Sequence, residues 1–224
     1  MNVRDARLGE HGFELIPGLL GESWLGALRD VLVDGIPNQR GIFESYPLIA
    51  ELAASRLIKD SVKQLIGCEC SIVRGILFDK TENANWQACW HQDRVIAVET
   101  RRAEEGFTGW SEKGGVPHAL APVDLLESMV SVRVHLDDSP EENGALRVWA
   151  GSHCEGVLSE AGKLEMKQDR VEVICEAKAG DALLMKPLLL HSSLPVEKPH
   201  HRRVIHLECA TSELPGELEW HWKL

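Results

Sequence analysis

The spacing of apolar and polar residues changes period several times along the chain, and each change marks a new element. Phe13-Glu14-Leu15-Ile16 reads as a strand that continues to Leu20 through a turn at Pro17-Gly18. From Ser23 onward Trp24, Leu25, Leu28, Val31 and Leu32 recur with a period near 3.6, which predicts a helix ended by Gly35 and Pro37. Tyr46 to Leu65 repeats the helical pattern, with Leu48, Leu52, Leu57, Ile58, Val62 and Leu65 as its buried face. Both helices are expected to cover a sheet.

Strand patterns follow. Ser71 to Phe78 and, after a polar turn at Thr81-Glu82-Asn83, Trp86 to Val98 are rich in strand formers. Between Glu99 and Pro122 no period survives, and Gly106, Gly109, Gly114, Gly115, Pro117 and Pro122 punctuate the segment. A long loop serving as a lid is the expectation there, with Phe107, Trp110 and His118 as its contacts. Met129 to Leu136 alternates strictly: Val130, Val132, Val134 and Leu136 share one face, and Met129, Ser131, Arg133 and His135 share the other. That second face suits either a solvated strand or the lining of a pocket. The acidic turn Asp137 to Gly144 lacks the alternating oxygen ligands of a calcium loop. Ala145 to Trp149, Asp169 to Glu176, Ala182 to Leu190 and Arg203 to Ala210 complete the strands, with a polar helix or loop near Ser159 to Gln168. Helices first and short strands afterwards predict a mainly β fold, an antiparallel sandwich or jelly roll with flanking helices on one side. We expect one domain over 1–224, helical over 1–66 and β over about 71–210.

Charge and cysteine usage narrow the partners. With 24 basic and 35 acidic residues the formal net charge is −11, which argues against nucleic acid or an anionic membrane as partner and leaves a small molecule. No apolar run approaches the ~18 residues that a bilayer requires. Six cysteines form no CxxC pair and the chain opens without a charged-then-apolar leader, so a reduced, cytoplasmic setting is expected. Cys68-x-Cys70 is half of a zinc pattern without its second half, and we read these thiols as structural.

The chemistry begins at His91-Gln92-Asp93. Side chains two apart on a strand share a face, so an imidazole and a carboxylate would stand side by side. The best third ligand is His191, at the end of the apolar run Ala182 to Leu190. Two imidazoles and one carboxylate leave coordination positions open, as in non-haem Fe(II) oxygenases. A 2-oxo acid and dioxygen can fill those positions, and the far carboxylate of the acid then needs a cation. Arg202, eleven residues after His191, returns on the next strand with the planar fork that grips a carboxylate. Its neighbour Arg203 should face away, and Ser193 can add a hydroxyl hydrogen bond.

Taken together, His91-x-Asp93, His191, Ser193 and Arg202 resemble the phytanoyl-CoA dioxygenase family of Fe(II)/2-oxoglutarate oxygenases. Leu136-Asp137-Asp138, Glu142 to Arg147 and Gly151-Ser152-His153 extend the resemblance, which covers about Gly12 to Ala210. It implies a double-stranded β-helix (a cupin-like jelly roll), Fe(II) at His91, Asp93 and His191, and 2-oxoglutarate held by Arg202 and Ser193. It also implies O2-dependent decarboxylation of 2-oxoglutarate to succinate and CO2, coupled to hydroxylation of a C–H bond in a small organic molecule. Halogenating relatives replace the carboxylate ligand with a small residue, so Asp93 speaks for oxygenation. Arg133, His135, Trp110 and His118 are the candidate substrate-pocket residues. Among the other histidines His11, His200, His201 and His221 read as solvated and His206 as a packed strand residue, while Trp86 and Trp90 suit either a pocket wall or the core. Two competing readings keep the same ligands: a zinc-dependent, cupin-like hydrolase or isomerase that activates water, and a non-catalytic ligand-binding barrel.

Overall fold

A computed structural model describes residues 3–33, 37–82, 84–166, 170–195 and 201–224. In chain order the helices are α1 (Leu8–His11), α2 (Glu22–Val31), α3 (Ile42–Ser45), α4 (Pro47–Ala54), α5 (Arg56–Ile66), α6 (Val123–Ser128) and α7 (Glu160–Met166). The strands are β1 (Phe13–Ile16), β2 (Ser71–Lys80), β3 (Ala88–His91), β4 (Val95–Ala97), β5 (Thr108–Lys113), β6 (Val116–Leu120), β7 (Val130–His135), β8 (Leu146–Trp149), β9 (Glu172–Cys175), β10 (Ala182–Met185), β11 (His191–Ser193) and β12 (Arg202–Ala210). They form a five-stranded sheet in the order β1-β10-β7-β12-β2, a four-stranded sheet β3-β11-β8-β9 and a three-stranded sheet β4-β6-β5. All of these pairings are antiparallel.

Alternation decides which side of the large sheet meets what. Val130, Val132 and Val134 of β7, Ala182 and Leu184 of β10, and Ile205 and Leu207 of β12 pack with Leu25, Leu28, Ile49, Leu52, Ile58 and Val62 of the helices. The opposite side sends Phe13, Leu183 and Met185 against Leu146, Val148, Val173 and Cys175 of the four-stranded sheet. Each such fully buried side chain contributes roughly 1.5–3 kcal/mol, so two apolar layers hold the jelly roll shut. All six residues of β7 are buried, which rules out the solvated-strand reading of its polar face.

Three expectations change. The pattern from Tyr46 to Leu65 is two helices, because Ser55 adopts extended backbone (φ −67°, ψ 154°) and caps α5 by accepting from the Ile58 amide. Helix α2 stops at Val31, which is 46% exposed rather than part of the buried stripe. The expected stop at Gly35, the turn residue Asn83, the solvated His200 and the ends of the 159–168 and 169–176 segments lie outside the described residues. The 99–122 segment is no irregular lid: β5 and β6 form a hairpin beside β4, turning at Gly114-Gly115 with φ of 60° and 80°. Positive φ at both turn residues is what a tight hairpin requires. Its strand β5 is mostly exposed and carries Thr108, Ser111, Glu112 and Lys113, so no apolar period marks it.

The two segments that carry the metal-ligand candidates are also broken. Trp86 to Val98 divides into β3 and β4, and Ala182 to Leu190 ends β10 at Met185 before β11 begins at His191. The chain crosses from the five-stranded to the four-stranded sheet at Pro187 to Leu189, where the Leu189 amide donates to the Lys186 carbonyl at 3.0 Å.

Gly75, in the middle of β2, lets α3 lie directly on the sheet. A Cβ there would sit 2.7 Å from Phe43 Cζ and 2.9 Å from Ile42 Cδ1. Gly75→Ala is expected to lower stability by about 1–3 kcal/mol through overpacking, seen as a lower urea midpoint with an unchanged slope.

Candidate metal centre and its cavity

His91 closes β3 and His191 opens β11, and the two residues face each other in the register of that strand pair. Their ring centroids are 4.1 Å apart. Asp93 belongs to the short link between β3 and β4, where its amide donates to the Pro187 carbonyl at 2.9 Å. The expectation of a continuous strand through His91 and Asp93 is therefore corrected, although both side chains still reach one point. Gln92 explains how: its amide nitrogen donates to the Leu188 and Gly156 carbonyls at 2.7 and 2.8 Å, and its oxygen accepts from the Leu158 amide at 2.9 Å. This glutamine ties the His91–Asp93 link to the turn that precedes His191. The sequence showed it only as the spacer of the motif.

His91 Nε2 lies 4.0 Å from Asp93 Oδ1, and His191 Nε2 lies 3.7 Å from Asp93 Oδ2. Ligand bonds of ~2.0–2.2 Å place donors on a shared ion up to ~4 Å apart, and the donor atoms of all three residues lie within 4.8 Å of one another. Protonation suits an ion as well. His91 Nδ1 sits 2.7 Å from the Cys89 carbonyl and His191 Nδ1 2.8 Å from the Leu189 carbonyl. A carbonyl can only accept, so each Nδ1 holds the proton and each Nε2 presents a lone pair. Burial pushes the His191 imidazole down to about 4, which keeps it neutral. Burial would raise the Asp93 carboxyl, but His191, His206, His91 and Arg74 outweigh it and hold the group at about 2, ionised. Among the described residues this is the one such cluster, and neither Cys68 nor Cys70 joins one.

A cavity of about 420 Å³ opens beside the cluster, within the ~300–1,000 Å³ of small-molecule sites. Of the residues singled out in the sequence, Ser193, Arg202 and Arg133 line it with the three ligand candidates. Arg202 is 4% exposed, and its side chain has no hydrogen-bonding partner among the described residues. Arg203 turns away and forms a forked pair with Asp137 at 2.8 Å on both oxygens. The guanidinium of Arg133 lies over the Phe78 ring at 5.4 Å.

The other pocket candidates are elsewhere. His135 is buried behind the lining with both ring nitrogens unpartnered, and burial with Arg133 and Arg202 nearby pushes it down to about 3. Trp110 packs against the apolar cluster of the three-stranded sheet, with Arg101 5.5 Å from its ring centre. His118 donates from Nδ1 to the Val116 carbonyl and lines a separate cavity of about 100 Å³. Both misplacements follow from the hairpin, whose pairing with β4 aims these side chains away from the ligands. Trp86 lines the large cavity, whereas Trp90 stacks on Trp149 at 4.4 Å.

Lys80 was not singled out in the sequence, where it ends an apolar strand without a motif around it. It is fully buried, directly opposite Arg202 in the β2–β12 register, and its ammonium donates to Ser193 Oγ at 3.1 Å and the Leu194 carbonyl at 2.6 Å. Burial, then Arg202 and Arg133, push this amine down to about 7. His206 also borders the cavity: its Nδ1 faces Arg133 Nη1 at 3.3 Å, and its Nε2 lies 3.9 Å from Asp93 Oδ2 and 3.7 Å from Glu208 Oε1. A guanidinium only donates, so Nδ1 accepts and Nε2 carries the proton. His206 thus offers the carboxylates a donor and has no lone pair for a metal.

A helix-backed, cupin-like jelly roll that gathers two histidines and an aspartate beside a deep cavity defines the class. The chain belongs to the phytanoyl-CoA dioxygenase family, whose model matches residues 36–204. Comparison with curated proteins finds no match. Solved structures of the same fold include EctD from S. alaskensis, solved with 2-oxoglutarate and 5-hydroxyectoine. It is 21% identical, with a TM-score of 0.70 over 91% of this chain and 73% of that one. HygX from Streptomyces hygroscopicus, with nickel and 2-oxoglutarate bound, is 18% identical with a TM-score of 0.66 over 94% and 88%. The non-haem alpha-ketoglutarate-dependent epimerase SnoN from nogalamycin biosynthesis is 14% identical with a TM-score of 0.66 over 94% and 88%. No helix among the described residues is long and apolar enough to cross a membrane.

Proposed function

We propose that the protein is an Fe(II)- and 2-oxoglutarate-dependent dioxygenase that hydroxylates a C–H bond of a small organic molecule. The observation that supports this reading is the placement of His91, Asp93 and His191 in one cavity with the buried guanidinium of Arg202, which has no hydrogen-bonding partner among the described residues. The donor set fits ferrous iron, since two neutral imidazoles and one ionised carboxylate leave half of an octahedron free. Iron and 2-oxoglutarate, when bound, supply the oxidising chemistry, in which the co-substrate loses CO2 to become succinate as a substrate C–H bond is oxidised.

The chain's own residues bind and orient. His91 and His191 present Nε2 because the Cys89 and Leu189 carbonyls hold their Nδ1 protons. Arg202 takes the far carboxylate of 2-oxoglutarate, and Ser193, held by Lys80, supplies a hydroxyl beside it. Lys80 adds positive charge when protonated, and an arriving carboxylate favours that form. His206 holds its Nε2 proton 3.9 Å from the Asp93 carboxylate. A zinc hydrolase would use the same three ligands but has no use for an unpaired arginine facing them, so Arg202 favours the oxygenase. SnoN, described as an epimerase, shares the fold, so detection of a product that has gained one oxygen atom from O2 is the test of hydroxylation.

Anaerobic addition of Fe(II) and 2-oxoglutarate is expected to produce the weak visible charge-transfer band of the metal-chelated co-substrate. Well-folded protein that binds Fe(II) yet shows no band would refute the reading.

A further inference from the structure

Beyond the ligands and Arg202, the large cavity carries a second set of cations. Arg40, Arg94 and Lys113 line it, and none has a hydrogen-bonded or ion-paired partner among the described residues. Arg94 Nε is buried and unsatisfied. Arg74 differs, since it is neutralised by Glu208 at 3.0 Å and donates to the Val95 carbonyl at 2.6 Å. Apart from Asp93, Glu208 is the only carboxylate in the lining among the described residues, and it is already paired with Arg74, so the three cations have no carboxylate in contact with them there. This holds in a chain whose formal net charge is −11.

The three come from separate parts of the fold: Arg40 precedes α3, Arg94 follows Asp93, and Lys113 ends β5 at the hairpin turn. Arg40 is exposed and Lys113 and Arg94 are half-buried, which sets the group at the cavity's opening. Arg40, Arg74 and Lys113 also line the adjoining 100 Å³ cavity. Burial and then the nearby Arg74 lower the basicity of Arg40 and Lys113, Arg40 adding to the effect on Lys113 and Glu208 opposing it in part. Like charges are held together at this cost where an anion binds, and a cleft lined by one sign draws that anion in.

We propose that the substrate carries an anionic oxyacid group, held at the opening by Arg40, Arg94 and Lys113 while the carbon to be oxidised faces His91, Asp93 and His191. The position of the oxidised carbon rests on the oxygenase reading, and the anion site rests on the cavity lining alone. Arginine forks and a lysine point charge together suit a phosphate, a sulfate or a carboxylate.

The test is equilibrium dialysis of the anaerobic Fe(II) protein, saturated with 2-oxoglutarate, against labelled sulfate and, separately, labelled acetate at constant ionic strength. Saturable binding of one anion per chain is expected, weakened at least about tenfold, or ~1.4 kcal/mol, in the Arg40→Gln/Lys113→Gln double variant. The charge-transfer band reports 2-oxoglutarate affinity in the same samples, and it should stay within about twofold because Arg202 is untouched. Tighter sulfate binding assigns a phosphate or sulfate ester, and tighter acetate binding a carboxylate. Absence of saturable binding, binding undiminished in the double variant, or displacement of the anion by excess 2-oxoglutarate would each overturn the site. A band without anion binding removes the substrate class and leaves the oxygenase reading intact. Anion binding to the wild type but not the double variant, without a band, does the reverse.

Discussion

Asp93→Ala is expected to abolish succinate formation and to lower Fe(II) affinity at least about a hundredfold, since loss of a ligand should exceed the 10–100-fold typical of outer partners. Asp93 is the one anionic donor of the cluster, and its surroundings are otherwise imidazole and guanidinium. Without it a divalent cation would meet two neutral histidines in a field set by Arg74 and Arg133, with Glu208 already engaged by Arg74. The fold should survive, because the link is held through the Asp93 amide and the Gln92 side chain, which alanine leaves in place. Asp93→Asn separates charge from shape: it keeps the volume and one oxygen, and metal affinity should still fall sharply. Equilibrium dialysis of Fe(II) and succinate quantification check both variants. Affinity retained within a few-fold in either would remove Asp93 from the ligand set.

Legibility in the sequence tracked how local each cause was. The helical face of α2 and the alternation of β7 are local patterns, and they led to the right sheet-and-helix arrangement. His191 and Arg202 could be linked in the sequence because each opens a short strand pattern and they lie eleven residues apart, although β11 and β12 belong to different sheets. What failed was non-local or lacked an apolar signature. The β5–β6 hairpin carries polar residues on an exposed ribbon, and only Gly114-Gly115 announced it. The sheet change inside Ala182 to His191 follows Lys186-Pro187, the one interruption of an apolar run that is buried at both ends and so gives no other sign of it. Lys80, Gln92 and Glu208 acquire their roles from partners 113, 96 and 134 residues away. A lysine closing a buried strand was the one available signal, since lysine is rarely fully buried without a partner. His135 shows the limit of alternation, which assigned its face correctly but not its depth: it shares Arg133's side of β7 yet lies behind the lining.

Arg202→Ala is expected to weaken 2-oxoglutarate binding by about thirtyfold or more while leaving Fe(II) affinity nearly unchanged. Truncating one partner of a buried, charge-assisted pair costs about 2–5 kcal/mol, and each ~1.4 kcal/mol is tenfold in affinity. That estimate follows from its isolation: burial and the neighbouring Arg133 push its guanidinium down to about 9 against the opposing charge of Asp79, and no side chain among the described residues hydrogen-bonds to it. A bound carboxylate would supply the missing charge. The free protein and its complex should therefore respond differently. In the wild type 2-oxoglutarate should raise the thermal midpoint, as any ligand selective for the native state does, and Arg202→Ala should lose most of that increase. Arg203→Ala is the contrasting variant. It breaks the forked pair with Asp137 and a 3.2 Å hydrogen bond to the Leu32 carbonyl, tying β12 to the end of α2. It should lower stability by about 1–3 kcal/mol with 2-oxoglutarate affinity within about twofold, because no part of it lines the cavity. The reverse outcome, with affinity lost in Arg203→Ala and kept in Arg202→Ala, would transfer the co-substrate role to Arg203. Equal losses in both would mean that the β12 backbone, held at Arg202 by Asp79 and at Arg203 by Asp137, positions the site more than either guanidinium does.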